Sequence, residues 1–600
     1  MSISDHAHDR IVLPPGLEWE RVRALLAGGL GDRVFRLTVT LRGRRAVLEG
    51  AVFSEEVKAD IGHLVVLNTF VDGIDNLLEV TSPLYSAGDD FDAPPQPATL
   101  PETSTVTRYP DIRTTEGTPL AGDSIDIVAD LLVSASKTTE AEPMELGFRS
   151  DQPHLDIDVE IHSSQLDIPE AQRFAIIRVR RDGPSMPALF SGRVREDAVE
   201  IEVRLIFSFA GRYSGSATRT IPVGRAPEIN GEERSYTVGG SGLSVDRSAR
   251  PPSLTVRIFN NGSADGNCVW SFDTAPHLRH LGVSNRVCTS VLGQSPKDYF
   301  TTKFRQCPIL PAGTHQGTLR GLGETIWGAV PQQFSEIYRL VRGAEGPEFP
   351  IQILTDEPHV PWELMFVGSA ASDVEGHLAL MHPVARWSLN ENAAPASYRF
   401  GRRVSFVPQY ARGATLPAAE AEGQWLATEV DAERGAPDFA SFMGLLTGTS
   451  GHAVQLVHFA GHGAAEGAPN EIGLRMQDHW VPVEQINGSV RLGKRDAPLF
   501  VLNACQVGNA DRALGAVTGW PAALARQGFG GVVAPLWSIQ DESAASFVRS
   551  LLTGILKEGL SIGAASLAAK KANAAASPSA YAYVMYGDVM AIAETSPTPR

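Results

Sequence analysis

Two short apolar segments near the C-terminus constrain the fold more than any other part of the chain. One is residues 457–463, with the sequence VHFAGHG, and the other is residues 502–506, with the sequence LNACQ. Each has the apolar character of a buried strand and ends in small residues beside one reactive side chain. In a parallel α/β sheet, ligands bind at the carboxyl ends of the strands. We therefore expect His462 and Cys505 to meet at one edge of such a sheet.

The C-terminal half alternates between apolar runs and amphipathic stretches. Alternation of this kind predicts an α/β fold, with a mostly parallel sheet flanked by helices. The predicted strands are 403–407, 454–459, 498–502 and 531–535, and the predicted helices are 418–430, 439–446, 520–527, 542–556 and 562–575.

A histidine and a cysteine at one sheet edge can form a nucleophilic dyad. A neighbouring base populates the thiolate near neutral pH, and the thiolate attacks a carbonyl carbon. His462 lies between Gly461 and Gly463, which allow a substrate backbone to come close. The resulting oxyanion needs donors, and the backbone N–H groups of Cys505 and Gly463 are the natural candidates. The alternative is that both side chains are structural, as single histidines and cysteines more often are.

Bulk properties exclude several classes of protein. A chain of 600 residues is too long for one core, so three or four domains are expected. The net charge of −17 argues against general binding to nucleic acid or anionic membranes. Cys268, Cys288 and Cys307 lack the close spacing of zinc ligands and are interpreted as structural thiols. Without an export signal or a long apolar run at the level of sequence, we expect a cytoplasmic protein.

Composition changes along the chain predict five segments. These are an α+β domain at 1–82, a Pro/Ser/Thr-rich linker at 83–122, a β-sandwich at 123–225, a connector at 226–252, and a C-terminal α/β domain with a lead-in at 253–600. The sandwich prediction rests on alternating polar and apolar residues separated by turn signals.

The N-terminal domain resembles a known family. Residues 47–52 (VLEGAV), 54–58 (SEEVK) and 71–80 (VDGIDNLLEV) are similar to the BON family. The pattern of apolar residues predicts helices at 18–27 and 55–67. The resemblance implies an αββαβ fold and a role in binding or membrane association. A plain α+β interaction domain is an equally weighted alternative.

Five ordered segments over roughly residues 330–590 resemble the CHAT family, caspase-like peptidases of the clan that also holds caspases and separases. They are PHVPWELM at 358–365, HFAGHG at 458–463, LNACQ at 502–506, LWSIQD at 536–541 and YVMYGD at 583–588. The resemblance implies that His462 is the general base and Cys505 the nucleophile. It implies no metal ion and no organic cofactor.

Three further residues near the proposed dyad have competing interpretations. Asp541 either caps the helix that follows it or lines a substrate pocket, as an acid in this segment does in separase-like relatives. Asn503 is a second candidate for that pocket. His458 lies within the strand itself, where packing or a hydrogen bond behind the site is the expected role.

The main hypothesis is a cysteine endopeptidase that acts on protein substrates. By family analogy it works in bacterial defence or cell death, and an activating partner or ligand acts through the N-terminal domains. The alternative is a scaffold that binds partner proteins and whose caspase-like domain has lost catalysis. A nucleotide-binding turn is disfavoured because Glu466 stands where the third glycine of that motif belongs.

Overall fold

The structure is a computed structural model. It describes single positions 22, 58, 61, 65 and 71 and the ranges 11–14, 34–42, 45–52, 73–80, 103–115, 118–134, 143–149, 152–224, 244–245, 250–260, 266–284, 286–293, 295–310, 313–368, 375–389, 391–411, 415–449, 451–464, 473–508, 511–513 and 516–595. The chain divides into two compact units. The first contains residues 1–104, 148–156 and 175–189, and the second contains residues 105–147, 157–174 and 190–600.

The first unit contains a four-stranded sheet, with the order Ile11–Val12, Val34–Arg42, Arg45–Val52 and Gly73–Val80. The second and third of these strands are antiparallel, and the third and fourth are parallel. The predicted helices lie mostly outside the described residues, although Val22, Lys58, Ile61 and Val65 are helical. The BON-like fold therefore stays a prediction.

The region predicted as a β-sandwich contains two sheets. One has the order Phe174–Arg180, His154–His162, Glu200–Phe209 and Arg212–Pro222, and the other has the order Ser244–Val245, Met144–Arg149, Thr103–Thr114, Ser124–Leu132, Ala188–Val194 and Leu166–Asp167. Buried and half-buried residues alternate along most of Ser124–Leu132, because one face of the strand packs inward.

The predicted linker at 83–122 is wrong at its C-terminal end. The strand Thr103–Thr114 lies within it and pairs antiparallel with Ser124–Leu132. Its threonine-rich composition resembles a linker, but Arg108, Pro110 and Ile112, which share one face of the strand, are buried, and so is Asp111 on the other face. The short strand Ser244–Val245 likewise lies within the predicted connector at 226–252.

An eleven-stranded sheet forms the centre of the C-terminal region. Its strands, numbered in chain order, are β1 Leu254–Asn260, β2 Asn267–Thr274, β3 Val287–Val291, β4 Ile351–Thr355, β5 Val384–Trp387, β6 Arg402–Phe406, β7 Glu433–Arg434, β8 Val454–Ala460, β9 Leu499–Asn503, β10 Gly531–Pro535 and β11 Tyr583–Tyr586. In space the order is β3-β2-β1-β4-β5-β11-β10-β9-β8-β6-β7.

Most neighbouring strands of this sheet are parallel. The exceptions are β1 with β2, β2 with β3, and β10 with β11, which are antiparallel. The helices of this region are Pro296–Gln306, His315–Gly328, Gln332–Glu345, Leu378–Met381, Pro417–Glu429, Phe439–Thr447, Leu492–Asp496, Trp520–Arg526, Asp541–Leu556, Ile562–Asn573 and Ser579–Ala582.

Short 3-10 helices and small sheets connect the longer elements of the chain. The 3-10 helices are Glu170–Gln172, Pro276–Leu281, Cys307–Ile309, Trp362–Leu364 and Val483–Gln485, and the small sheets pair Phe366–Val367 with Gly376–His377, Ser397–Tyr398 with Ile592–Ala593, Gly463–Ala464 with Gly473–Arg475 and Trp480–Val481, and Asp511–Ala513 with Ala516–Thr518.

Both faces of β9 are covered, which explains why its sequence is apolar throughout. Val501 belongs to a core cluster that includes Phe547 of the helix Asp541–Leu556. The neighbouring residue Phe500 belongs to a second cluster that includes Phe442 of the helix Phe439–Thr447. A strand buried on both faces is read as a continuous apolar run rather than an alternating one.

Most of the region predicted as a sandwich belongs to the second compact unit, which also contains the central sheet. Buried ion pairs join them. Arg257 of β1 lies 3.2 Å from Glu160 and 3.4 Å from Asp273, and these groups are nearly fully buried. Arg212 contacts Asp588. Charged residues usually mark exposed surface, so these buried pairs could not be predicted from residue type.

Candidate active site

The two predicted site residues follow neighbouring parallel strands. Ala460 of β8 stands opposite Asn503 of β9, and the N–H group of Gly461 donates to the Asn503 carbonyl oxygen at 3.2 Å. His462 lies two residues beyond Ala460, and Cys505 lies two residues beyond Asn503. Because the strands are parallel and in register, both residues leave the sheet at the same edge.

The loops that follow β8 and β9 touch at Gly463. A Cβ atom added to Gly463 would lie 2.8 Å from the Cys505 carbonyl oxygen, 2.9 Å from the Ala504 Cβ and 3.0 Å from the Val507 Cγ1. Real Cβ atoms essentially never come closer than 3.0 Å to such neighbours. Only glycine fits here without displacement, and the residue after His462 is therefore in contact with the segment that carries Cys505.

Tyr410 and Arg475 hold the backbone of His462. The N–H group of His462 donates to the Tyr410 hydroxyl at 3.0 Å, and that hydroxyl donates to the Arg475 carbonyl oxygen at 2.6 Å. The Tyr410 ring also lies beside the imidazole, with 4.5 Å between ring centroids. Burial raises the pKa of Tyr410 to about 12, so its hydroxyl stays protonated and continues to donate.

Cys505 differs from the other three cysteines in exposure. Its side chain is partly exposed, and its Sγ lies 4.0 Å from the Ile539 carbonyl oxygen, whereas Cys268, Cys288 and Cys307 are buried. Burial raises the pKa of both Cys288 and Cys307 to about 12, which keeps them as thiols at neutral pH. Thiol chemistry in the native protein is therefore expected at Cys505.

Asn503 and His458 lie behind the site, where both bind Glu422. The Asn503 Nδ2 donates to the two Glu422 carboxylate oxygens at 2.8 and 3.1 Å, and the His458 Nε2 lies 2.6 Å from Oε1. The Asn503 Oδ1 accepts from the Tyr583 hydroxyl at 2.6 Å, and the His458 Nδ1 lies 2.9 Å from the Ser405 Oγ. Asn503 is buried, and both ends of its amide are occupied by protein groups rather than facing an open pocket.

Asp541 caps a helix other than its own. It is the first residue of the helix Asp541–Leu556, whose N-cap position is Gln540. Its carboxylate accepts from the N–H groups of Ala418 and Ala419, at 2.9 and 3.1 Å, in the first turn of the helix Pro417–Glu429. The prediction that Asp541 caps the helix that follows it is therefore wrong, because its carboxylate binds the first turn of a neighbouring helix instead. Asp541 remains half-buried.

Sequence reasoning missed Glu422, which contacts both strands of the site. Glu422 is fully buried on the helix Pro417–Glu429, together with Ala419 and Leu426. These residues are three and four positions away and therefore share one face of the helix. An acidic residue in the middle of an apolar helix face was the available signal, because buried carboxylates need specific partners.

Metal and membrane features can be stated only for the described part of the chain. There, no group of three or more His, Cys, Asp or Glu side chains could hold a metal ion. None of the helices placed in that part is both long enough and apolar enough to cross a membrane.

Comparison with known proteins gives one family match and several weak structural likenesses. No curated protein matches the chain. Gingipain R (RGPB), an Arg-specific cysteine proteinase, is similar with 11% identity and a TM-score of 0.32, over 47% of this chain and 77% of that one. The Saccharomyces cerevisiae separase–securin complex is similar with 10% identity and a TM-score of 0.36, over 57% of this chain and 30% of that one. The family model described as the CHAT domain matches residues 359–584, the stretch that contains His462 and Cys505.

Proposed function

We propose that the chain is a cysteine endopeptidase that cleaves protein substrates with a dyad of His462 and Cys505. The observation that carries this proposal is the register of β8 and β9, which sends both residues out of one sheet edge. The contact of Gly463 with the Cys505 segment supports it, as does the similarity of residues 359–584 to the CHAT domain. The partial exposure of Cys505 makes its sulfur reachable by a substrate.

The proposed reaction has two halves. His462 takes the proton of the Cys505 thiol, and the sulfur attacks the carbonyl carbon of the peptide bond. The backbone N–H groups of Cys505 and Gly463 are the proposed donors to the oxyanion. His462 then gives its proton to the leaving amine, which departs and leaves a thioester on Cys505. In the second half, His462 removes a proton from water and the hydroxide attacks the thioester. The acid product departs, and the proton on His462 returns to the Cys505 sulfur to restore the thiol.

The finer parts of the proposal concern selectivity and control. Asp541 is the better of the two predicted pocket residues, because it is half-buried and lies two residues after Ile539, whose carbonyl oxygen is 4.0 Å from the Cys505 Sγ, whereas Asn503 is buried. Regulation through the N-terminal parts of the chain, and work in bacterial defence or cell death, are proposed on the CHAT resemblance alone.

Replacing each residue of the dyad tests the proposal. Purified full-length protein is incubated with a random peptide library, and cleavage is followed by mass spectrometry for the parent, Cys505→Ala and His462→Ala. We expect both variants to lose cleavage while their unfolding midpoints stay close to that of the parent. His479→Ala is the matched control, because this histidine is 73% exposed and its side chain contacts its neighbour Asp478 and the ring of Phe439 rather than a dyad residue.

Two outcomes would contradict the proposal. If Cys505→Ala cleaves as fast as the parent, the sulfur is not the nucleophile. If the parent cleaves nothing in the library and does not react with thiol-directed peptide probes, the alternative of a catalytically inactive scaffold that binds partner proteins is favoured.

A further inference from the structure

Glu422 is a single side chain that binds both strands of the proposed dyad. Its carboxylate accepts from Asn503 of β9 at 2.8 and 3.1 Å, and it lies 2.6 Å from the Nε2 of His458 of β8. Asn503 stands two residues before Cys505, and His458 stands four residues before His462. A displacement of Glu422 would therefore shift His458 and Asn503, which lie shortly before the two residues of the proposed dyad in the chain.

The contacts of Glu422 belong to a buried row of polar groups that crosses the sheet. The row runs from Ser405 on β6 through His458 and Glu422 to Asn503, and from there to Tyr583 on β11. All five residues are buried. The Tyr583 ring is itself fixed, since it stacks on Phe547 with 4.0 Å between ring centroids.

A buried carboxylate is expensive to keep, and the partners of Glu422 compensate for its loss of hydration. Three hydrogen bonds to one carboxyl group fix its position closely, because each bond is directional and they come from two different strands. Burial raises the pKa of the Tyr583 phenol well above its ordinary value, and the nearby Glu422 and Cys505 raise it further. Tyr583 therefore remains a donor to Asn503 over the whole pH range of an assay.

The helix that carries Glu422 also contacts the segment opposite the thiol. Its first N–H groups, those of Ala418 and Ala419, bind the Asp541 carboxylate. Asp541 lies two residues after Ile539, whose carbonyl oxygen is the contact of the Cys505 Sγ. The helix Pro417–Glu429 thus ties together the two strands of the dyad and the chain segment beside the sulfur.

We propose that Glu422 is a positioning residue that sets the spacing between His462 and Cys505 by holding His458 and Asn503. It does not touch the substrate or the reacting atoms. This inference rests on the proposed function, since it assumes that His462 activates Cys505.

The decisive variants exchange donors and acceptors without changing side-chain size. In Glu422→Gln, the amide Nε2 faces the Asn503 Nδ2, and two donors oppose each other. In Asn503→Asp, two carboxylates oppose each other. The double variant restores a donor–acceptor pair, because the glutamine amide donates to the new carboxylate while its oxygen still accepts from His458. Glu429→Gln is the matched control, since this exposed residue of the same helix pairs only with Lys557 among the contacts seen.

The readout is the rate at which iodoacetamide alkylates Cys505 of the full-length protein between pH 5 and pH 9. We expect both single variants to lose about 10- to 100-fold at pH 6, as for a displacement of around 1 Å in a catalytic pair. We expect the double variant to recover most of this loss and the control to match the parent. If Glu422 only stabilised the fold, the variants would have lower unfolding midpoints, but the alkylation rate would not fall in the single variants and recover in the double variant.

Several results would overturn the inference. One is a Glu422→Gln profile that matches the parent at every pH, and another is a double variant that folds but recovers nothing relative to the single variants. If none of these variants folds, Tyr583→Phe decides: an unchanged alkylation profile overturns the inference, and a slower one supports it. The proposed function fails separately, if His462→Ala leaves the alkylation of Cys505 unchanged.

Discussion

Replacing Gly463 with alanine is expected to damage both stability and thiol reactivity, although alanine is usually the more stabilising residue. The added Cβ would lie 2.8 Å from the Cys505 carbonyl oxygen, and ordinary contact begins at 3.4 Å. The Cys505 segment must therefore retreat by about 0.6 Å. The added Cβ would also come too close to the Ala504 Cβ and the Val507 Cγ1, so several atoms of this segment must move together.

The size of both effects follows from this displacement. Overpacking of this kind lowers the free energy of unfolding by about 1–3 kcal/mol. A 1 Å shift in a catalytic pair lowers the rate about 100-fold, so a shift of roughly half that size should lower the alkylation rate of Cys505 on the order of tenfold. Urea unfolding and iodoacetamide alkylation of the full-length variant measure the two quantities.

Gly444→Ala is the control, because alanine at this position should raise the free energy of unfolding rather than lower it. Gly444 lies in the helix Phe439–Thr447, and a Cβ added there would meet nothing within 4 Å. Gly444→Ala should therefore raise the free energy of unfolding by about 0.5–1 kcal/mol and leave alkylation unchanged. If Gly463→Ala is as stable and as reactive as Gly444→Ala, the loops after β8 and β9 do not touch and the reasoning fails.

Three further predictions concern buried charge. Burial raises the pKa of Glu391 to about 7 from an ordinary 4.5, so its contribution to stability is fully present below pH 4.5 and is lost as pH rises through 7. Glu391→Gln should remove this dependence of the unfolding free energy on pH. It should also raise that free energy by on the order of 1–3 kcal/mol at pH 8, as measured by urea unfolding. Burial lowers the pKa of His382 to about 3 from 6.5, so its contribution to stability is fully present above pH 6.5 and is lost as pH falls toward 3. The thermal midpoint of His382→Asn should therefore fall less steeply with decreasing pH than that of the parent. Equal dependence on pH in the two proteins would contradict this. Glu160→Ala leaves the Arg257 guanidinium buried with one partner fewer, which should lower the free energy of unfolding by about 3–5 kcal/mol, whereas a change below 1 kcal/mol would mean that water reaches this pair.

The sheet around the site was predictable because its strands are buried on both faces. The run at 531–535 was predicted with the bounds that the structure gives it, Gly531–Pro535, and the strand predicted at 454–459 is Val454–Ala460. Continuous apolar runs between helical stretches signal such strands directly. The order of strands across the sheet was not predictable, because it depends on which strand each connection returns to.

The polar interior could not be predicted from pattern. Arg257 and Glu160 are 97 residues apart and would each be assigned to the surface by residue type. Glu422 is comparable: its partners His458 and Asn503 are 36 and 81 residues away. Hydropathy reports which residues avoid water but not which charged groups compensate one another when both are buried.

Because the four cysteines differ in exposure, thiol labelling can show which part of the chain has unfolded. Cys268 and Cys288 lie on β2 and β3, at the end of the sheet where β3 is the edge strand, and Cys505 follows β9. In the native molecule a brief pulse of thiol label should therefore add one mass increment. Labelling of Cys268 and Cys288 would time the opening of that distant edge, and labelling of Cys307 would report the opening of the 3-10 helix Cys307–Ile309.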